Sequence, residues 1–280
     1  FKDLGIIEYK AAWDYQEELL QQNVKIKSAI RNGQWAMGNE QWAMSNEQFT
    51  IGKEIQTPDP KRQTTNHFLL CEHPPVYTLG KSGKKENVLM SDEELEANNI
   101  AFFNTNRGGD ITFHGLQQIV GYPILDLENY YTDIGKYLRN LEEMIILTIA
   151  EYGIKAGRSK GETGVWIDAD IAGNERKICA IGVRCSRWIT MHGFALKVNT
   201  DLRYFNHIIP CGIENKQVTS IEKELGYKVD YAEVKEKVKK KKQTKKKKNK
   251  KEETKTKKLG TNNKPEKEST NTESIKGKVA

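Results

Sequence analysis

Apolar residues recur at helical spacing along residues 9–31, where Ala12, Tyr15, Leu19, Ile26 and Ile30 alternate with polar and charged neighbours. That period predicts an amphipathic helix, and Gly33 is its expected stop. The pattern then lapses. "QWAMGNE" (34–40) is followed at once by "QWAMSNE" (41–47), a tandem repeat with one difference. Two copies are too few for a solenoid. Residues 32–66 therefore read as a polar insertion, either a duplication in a tolerant loop or a stretch whose tryptophans dock on a surface.

Short apolar runs take over after it. "HFLLCEHPPVYTLG" (67–80) predicts two strands separated by a Pro-Pro turn, which a central strand cannot contain. Ser91 and Glu94 form a capping box that opens a short helix. Residues 101–104, 111–113 and 118–127 read as further strands. The run "TDIGKYLRNLEEMIILTIAEYGI" is a helix with Thr132 as cap, Ile134, Leu138, Leu141, Ile145 and Ile149 inward, and Gly153 as stop. The β-rich runs 163–167, 177–185 and 188–199 are joined by short polar turns and predict an antiparallel meander. Thr219 opens a short helix, and Asp230 with Glu233 caps a last one. Strands and helices come in mixed blocks rather than strict alternation, so the fold class is α+β.

Charge divides the 280 residues in two. Residues 235–280 hold nineteen lysines against six glutamates, a balance of +13, which leaves −6 for residues 1–234 out of the whole chain's +7. A mildly acidic body weakens any nucleic-acid reading. The lysine-rich stretch buries too little apolar surface to offset its ordering entropy and is expected to be disordered beyond a turn or two. The expected organisation is a folded domain over 1–234 and a tail over 235–280. Cys71, Cys179, Cys185 and Cys211 are too far apart for a metal site of CxxC type. No apolar run reaches the roughly 18 residues of a membrane span. A cytoplasmic protein with reduced thiols is the expectation. The chain opens on Phe1, so a few residues are expected ahead of it.

Three segments carry candidate chemistry. In "RGGDITFHG" (107–115) adjacent glycines allow close backbone approach to a ligand, Arg107 is suited to orienting a polar group, and His114 ends a strand. The segment is neither a P-loop nor GxGxxG. In "RKICAIG" (176–182) Lys177 opens an apolar strand; it is either an edge lysine with its head in water or a cation aimed into a dry pocket. In "IIPCGI" (208–213) Cys211 sits between Pro210 and Gly212, either as a small buried hydrophobe or as a nucleophile on a turn. A free thiol is only a few per cent thiolate at neutral pH, and a nearby lysine would raise that fraction.

Taken together, "RGGDITFHG", "KICAIGVR" with "HGFALKVN", and "IIPCGI" resemble the octanoyltransferases of protein lipoylation, and "CEHPPVYTLGKSG" and "TGVW" fit the same pattern. The resemblance runs from about Phe1 to Gly226, interrupted by the insertion. It implies a mixed-sheet α+β domain shared with biotin and lipoate protein ligases, with no metal or cofactor. It implies octanoyl-acyl carrier protein as donor. The implied acceptors are lipoyl domains of 2-oxoacid dehydrogenase E2 subunits and glycine cleavage H protein. Cys211 would carry the acyl thioester and Lys177 would manage the proton. The acyl pocket would be lined by Arg107, Gly108, Gly109, Asp110, Ile111, Thr112, Phe113 and His114. Ala180, Ile181 and Gly182, with Gly193, Phe194 and Ala195, would complete it. A monomer is expected, with neither membrane nor nucleic acid as partner.

One departure stands out. After "FHG" the family usually reads Pro-Gly-Gln, and here the chain has Leu116-Gln117-Gln118. If position 117 requires positive φ, glutamine costs on the order of 1 kcal/mol there. That cost would favour an alternative, an impaired family member kept as a binding protein. An ATP-dependent lipoate–protein ligase is the other alternative, and it would need no cysteine.

Overall fold

The computed structural model describes residues 1–43, 63–209 and 217–241, and the side chains of all of these but 32–43. Cys211 with its flanking Pro210 and Gly212 lies outside the described residues, as do the end of the tandem repeat and most of the lysine-rich stretch. The chain divides into two units, Phe1–Val238 and Lys239–Ala280. Of the second only residues 239–241 are described, and they are helical.

In the first unit the strands are β1 (Lys2–Ile6), β2 (His67–Glu72), β3 (Val76–Leu79), β4 (Ala101–Asn104), β5 (Ile111–His114), β6 (Gln118–Ile124), β7 (Val165–Ile167), β8 (Arg176–Ser186), β9 (Ile189–Lys197) and β10 (Gln217–Val218). The helices are α1 (Tyr9–Ala43), α2 (Asp92–Ala97), α3 (Ile134–Ile149), α4 (Ile221–Leu225) and α5, of which residues 231–238 belong to this unit. A seven-stranded mixed sheet has the order β1-β2-β6-β9-β8-β10, with β7 also on β8; a second sheet is β4-β3-β5. The expected meander is present: β7, β8 and β9 pair antiparallel.

The large sheet is covered on both faces, which is why β6 and β9 are buried along their whole length. On one face α3 lays Leu141, Ile145 and Ile149 against Phe68, Ile119, Phe194 and Leu196. Full burial of each such side chain contributes about 1.5–3 kcal/mol. On the other face α1 lays Ala12, Leu19 and Leu20 against Leu69, Val120, Ile189 and Met191. That face of α1 is not purely apolar. Gln16 accepts from the His192 N–H at 3.0 Å, and Asn23 bonds both the N–H and the carbonyl of Thr65.

Several boundaries differ from those the pattern predicts. Helix α1 runs through Gly33 and the first repeat to Ala43; an interior glycine costs only about 1 kcal/mol, too little to end a helix by itself. The cap of α3 is Asp133, which accepts from the Lys136 N–H, not the adjacent Thr132. Likewise Ser220, not Thr219, caps α4. The folded unit extends past residue 234, because Val238 on α5 is fully buried beside Val234 in the α3-side core.

Gln117 does adopt a left-handed conformation, with φ of 64°. Hydrogen bonds over-determine it. Its N–H donates to Glu72 Oε2 at 2.7 Å, and its carbonyl accepts from the Val198 N–H and the Thr200 hydroxyl. Its own side chain accepts from Asn199 Nδ2 at 2.9 Å. These contacts offset a strain of about 1 kcal/mol.

Candidate active site

The loop between β4 and β5 crosses over β8, and there a cleft of about 590 Å³ opens. That lies within the roughly 300–1,000 Å³ usual for small-molecule sites. Two backbone features make the crossing possible. The Gly108 N–H donates to Val183 O at 3.0 Å, and a Cβ at Gly182 would stand 2.6 Å from Gly108 O. Glycine at 182 is therefore a condition of the approach rather than a turn residue.

Arg107, Gly108, Gly109, Asp110, Ile111, Thr112 and His114 line this cleft, with Ala180, Ile181, Gly182, Gly193, Phe194 and Ala195 opposite. Phe113 is the exception among the residues expected there. Strand alternation turns it away, stacked on Tyr204 with centroids 4.5 Å apart and edge-on to Phe205 in a separate core cluster. Arg107 serves its own loop: its guanidinium donates to Thr78 O, Thr78 Oγ1 and the carbonyls of Gly108 and Asp110. It fixes the glycine pair against β3. Asp110 closes the same loop through Asn87 Nδ2 at 2.9 Å.

Lys177 lies at the other end of the lining. Its Nζ is 3.6 Å from Glu162 Oε2 and 4.5 Å from the centre of the Trp166 ring, and both carboxylate and lysine line the cleft. Of the two readings of Lys177, the cation aimed into a pocket is the one seen. Val218 pairs with Lys177, and the Thr219 N–H donates to Lys177 O at 3.2 Å. The described chain thus resumes after residue 216 directly beside this lysine.

Three histidines border the cleft or lie beneath it, and burial holds all three neutral. His73 donates from Nδ1 to Ile7 O at 2.7 Å, which leaves Nε2 to accept from the Tyr122 hydroxyl at 2.7 Å. Burial depresses its pKa to about 4 and that of His192 to about 3; His114, stacked on Tyr9, is pushed well below its usual value, first by burial and then by the unfavourable neighbourhood of His73 and the Arg107 guanidinium. The folded values lie below the unfolded value near 6.5, so the unfolded chain binds more protons in the window between them. Their contribution to stability is complete above about pH 6.5 and is lost as pH falls toward 4 and then 3. Thermal melts at pH 7, 6 and 5 are expected to show a steady fall in Tm, and a flat series would contradict this.

Sequence reasoning passed over Glu162, Tyr9, Tyr122 and Lys197 in this lining. Lys197 carried a legible signal, a single lysine inside the apolar run "HGFALKVN". The three described cysteines are all free, and burial raises each thiol pKa, that of Cys179 to about 12. Among the described residues no cluster of His, Cys, Asp or Glu could hold a metal ion, and no helix is long and apolar enough to cross a membrane.

The family described as "Lipoyl protein ligase A/B catalytic domain" matches residues 44–243. The octanoyltransferase of Flavobacterium johnsoniae is 55% identical over 238 residues, covering 85% of this chain and 91% of that protein. The chain belongs to the octanoyltransferase family. The octanoyltransferase of Christiangramia forsetii agrees, at 54% identity over 85% of this chain and 92% of its own length. This family member is accordingly an enzyme of the acyltransferase class. Its fold is also that of the lipoate-bound LipL1 of P. falciparum, with a TM-score of 0.51 over 66% of this chain and 48% of that one. The identity there is 10%, so that likeness concerns the fold alone.

Proposed function

We propose that this octanoyltransferase takes the octanoyl group of octanoyl-acyl carrier protein onto Cys211 and passes it to a lysine of a lipoyl domain. The Cys211 thiolate attacks the carbonyl carbon of the donor thioester. A new C–S bond forms, the bond to the carrier sulfur breaks, and the carrier thiol leaves with the proton that Cys211 gave up through Lys177. The neutral amine of the acceptor lysine then attacks. A C–N bond forms, the C–S bond to Cys211 breaks, and the amine proton returns to the cysteine. Thioester exchange is nearly isoenergetic and amide formation runs downhill, so neither ATP nor a cofactor enters.

The observation that carries this reading is the Lys177–Glu162 pair in a largely apolar cleft, on the strand beside which the chain resumes after the Cys211 segment. The cleft has room for an eight-carbon chain, whose burial at about 0.8 kcal/mol per methylene offers roughly 5 kcal/mol. The raised pKa values of the three described cysteines are consistent with a nucleophile elsewhere.

Intact mass of the protein mixed with octanoyl-acyl carrier protein, without acceptor, is expected to rise by one octanoyl group. Hydroxylamine should remove it, and Cys211→Ala should take up none. Lipoylation that needs ATP and free acid, and survives Cys211→Ala, would point instead to the ligase reaction.

A further inference from the structure

Turns lie at the surface, and a glutamate on one ordinarily keeps its head in water. The turn that leads into β7 does the opposite. Glu162 sits between Gly161 and Gly164, whose φ values of 82° and 131° are conformations that side chains disfavour. Its side chain points inward, is 18% exposed and lines the cleft. The Oε2 atom is shielded from water and stands 3.6 Å from Lys177 Nζ.

The turn does not need that carboxylate to keep its shape. Gly157 and Trp166 exchange N–H to carbonyl bonds at 2.8 and 3.0 Å, and the Glu162 N–H donates to Ser159 O at 3.4 Å. The Gly164 N–H donates to Glu142 Oε1 at 3.1 Å. Both ends of the turn are thus pinned by other groups. At 3.6 Å the Glu162 carboxylate acts on Lys177 through charge rather than as a hydrogen-bond acceptor.

The elements packed on Lys177 bear on that charge differently. Strand β7 offers the Trp166 face, whose centre is 4.5 Å from Nζ. Strand β9 brings a like charge, Lys197, whose Nζ donates to Lys177 O at 3.2 Å. On β8 the Cys179 thiol is buried and its pKa raised, while Arg176 turns away to Asp168 and Glu224. Glu142 of α3 is committed to Arg139, Arg158 and Gly164. Val218 and Thr219, which follow residue 216, add no charged side chain.

We propose that Glu162 is the positioning residue of Lys177: its carboxylate holds the ammonium on the cleft and favours the charged form of the lysine. An opposite charge within about 4–6 Å has that effect in general. The consequence for catalysis, an easier uptake of a proton by Lys177, rests on the transfer reading above. The pairing itself rests on the Glu162–Lys177 geometry.

The test compares the full-length wild type with Glu162→Gln and Glu162→Asp. Acetic anhydride labelling of Lys177, followed with pH and mapped by mass spectrometry, reports the neutral amine, with the exposed Lys10 as internal reference. Glu162→Gln is expected to label Lys177 about 10-fold faster near neutral pH, the equivalent of one pH unit, and to leave the alkaline plateau unchanged. Single-turnover octanoyl uptake from octanoyl-acyl carrier protein should slow about 10-fold, with the donor concentration at half-maximal rate little changed. Glu162→Asp keeps the charge and should lie between glutamine and wild type in both readouts. Labelling of Glu162→Gln at the wild-type rate would overturn the proposal, as would a raised plateau, which reports an opened turn. Faster labelling with unchanged uptake would overturn the role in transfer. A wild type that takes up no octanoyl group would sink the transfer reading instead, and the labelling curve would still decide whether Glu162 governs Lys177.

Discussion

Lys177→Met is expected to slow octanoyl transfer by about 10²–10⁴-fold, the range typical of losing a positioned proton-transfer group. Lys177 stands where β7, β8 and β10 meet, paired with both Trp166 and Val218. Its stem passes Gly164, where φ is 131° and a Cβ would lie 2.7 Å from Cys179 O. The ammonium is fixed between the Glu162 carboxylate and the Trp166 face. Stability should change little, since the lost cation–π contact is worth about 0.5–2 kcal/mol. Arginine separates the two roles a lysine could play. It keeps the charge but does not give up a proton. Lys177→Arg should therefore be nearly as slow as Lys177→Met. Rates of both half-reactions at matched Tm check this, and a Lys177→Met enzyme within three-fold of wild type would remove Lys177 from the chemistry.

The parts of this architecture governed by local rules were legible in the chain. The capping box of Ser91 and Glu94 is present with both reciprocal hydrogen bonds, and the inward face of α3 and the β7–β8–β9 meander fell where periodicity placed them. Strand β1 was not legible: "KDLGI" is too short and too exposed to carry a period, and its parallel pairing with β2 is a long-range event. The site divides along the same line. Glycines 108, 109 and 182 announced a close approach, but nothing in sequence says that β8 is the surface approached. Phe113 was misplaced because a contiguous motif had been read as a contiguous wall, while a strand sends alternate residues to opposite sides. Lys197 and Glu162 were missed because the groups they face, Lys177 and Phe205, are brought in from other segments. Gln117 shows the converse. Its positive φ was foreseeable from the missing glycine, but the offsetting bonds come from two other segments, Glu72 and the run Val198, Asn199 and Thr200.

The second large effect is on stability. Glu142→Ala is expected to destabilise the protein by about 3–5 kcal/mol, the usual cost of removing one partner from a buried ionic cluster. Glu142 is fully buried on α3. Its Oε2 receives Arg139 Nη1 at 2.9 Å and Arg158 Nε at 3.0 Å, and its Oε1 receives the Gly164 N–H at 3.1 Å. One side chain thus ties α3 to both ends of the segment 158–164, which brings Glu162 to the cleft and to Lys177. Alanine would leave a buried N–H at Gly164 without its acceptor and Arg158 short of one of its two carboxylates. Acyl transfer should fall together with the urea midpoint. Glu142→Gln keeps an acceptor for Gly164 while losing the charge and should lie between alanine and wild type. Glu143→Ala is the control: its carboxylate binds Arg158 Nη2 at 2.6 Å but is 36% exposed, and exposed pairs are worth only about 0–1 kcal/mol. Equal midpoints for Glu142→Ala and Glu143→Ala would show that the segment is held by its backbone pairing to Trp166 through Gly157 rather than by this carboxylate.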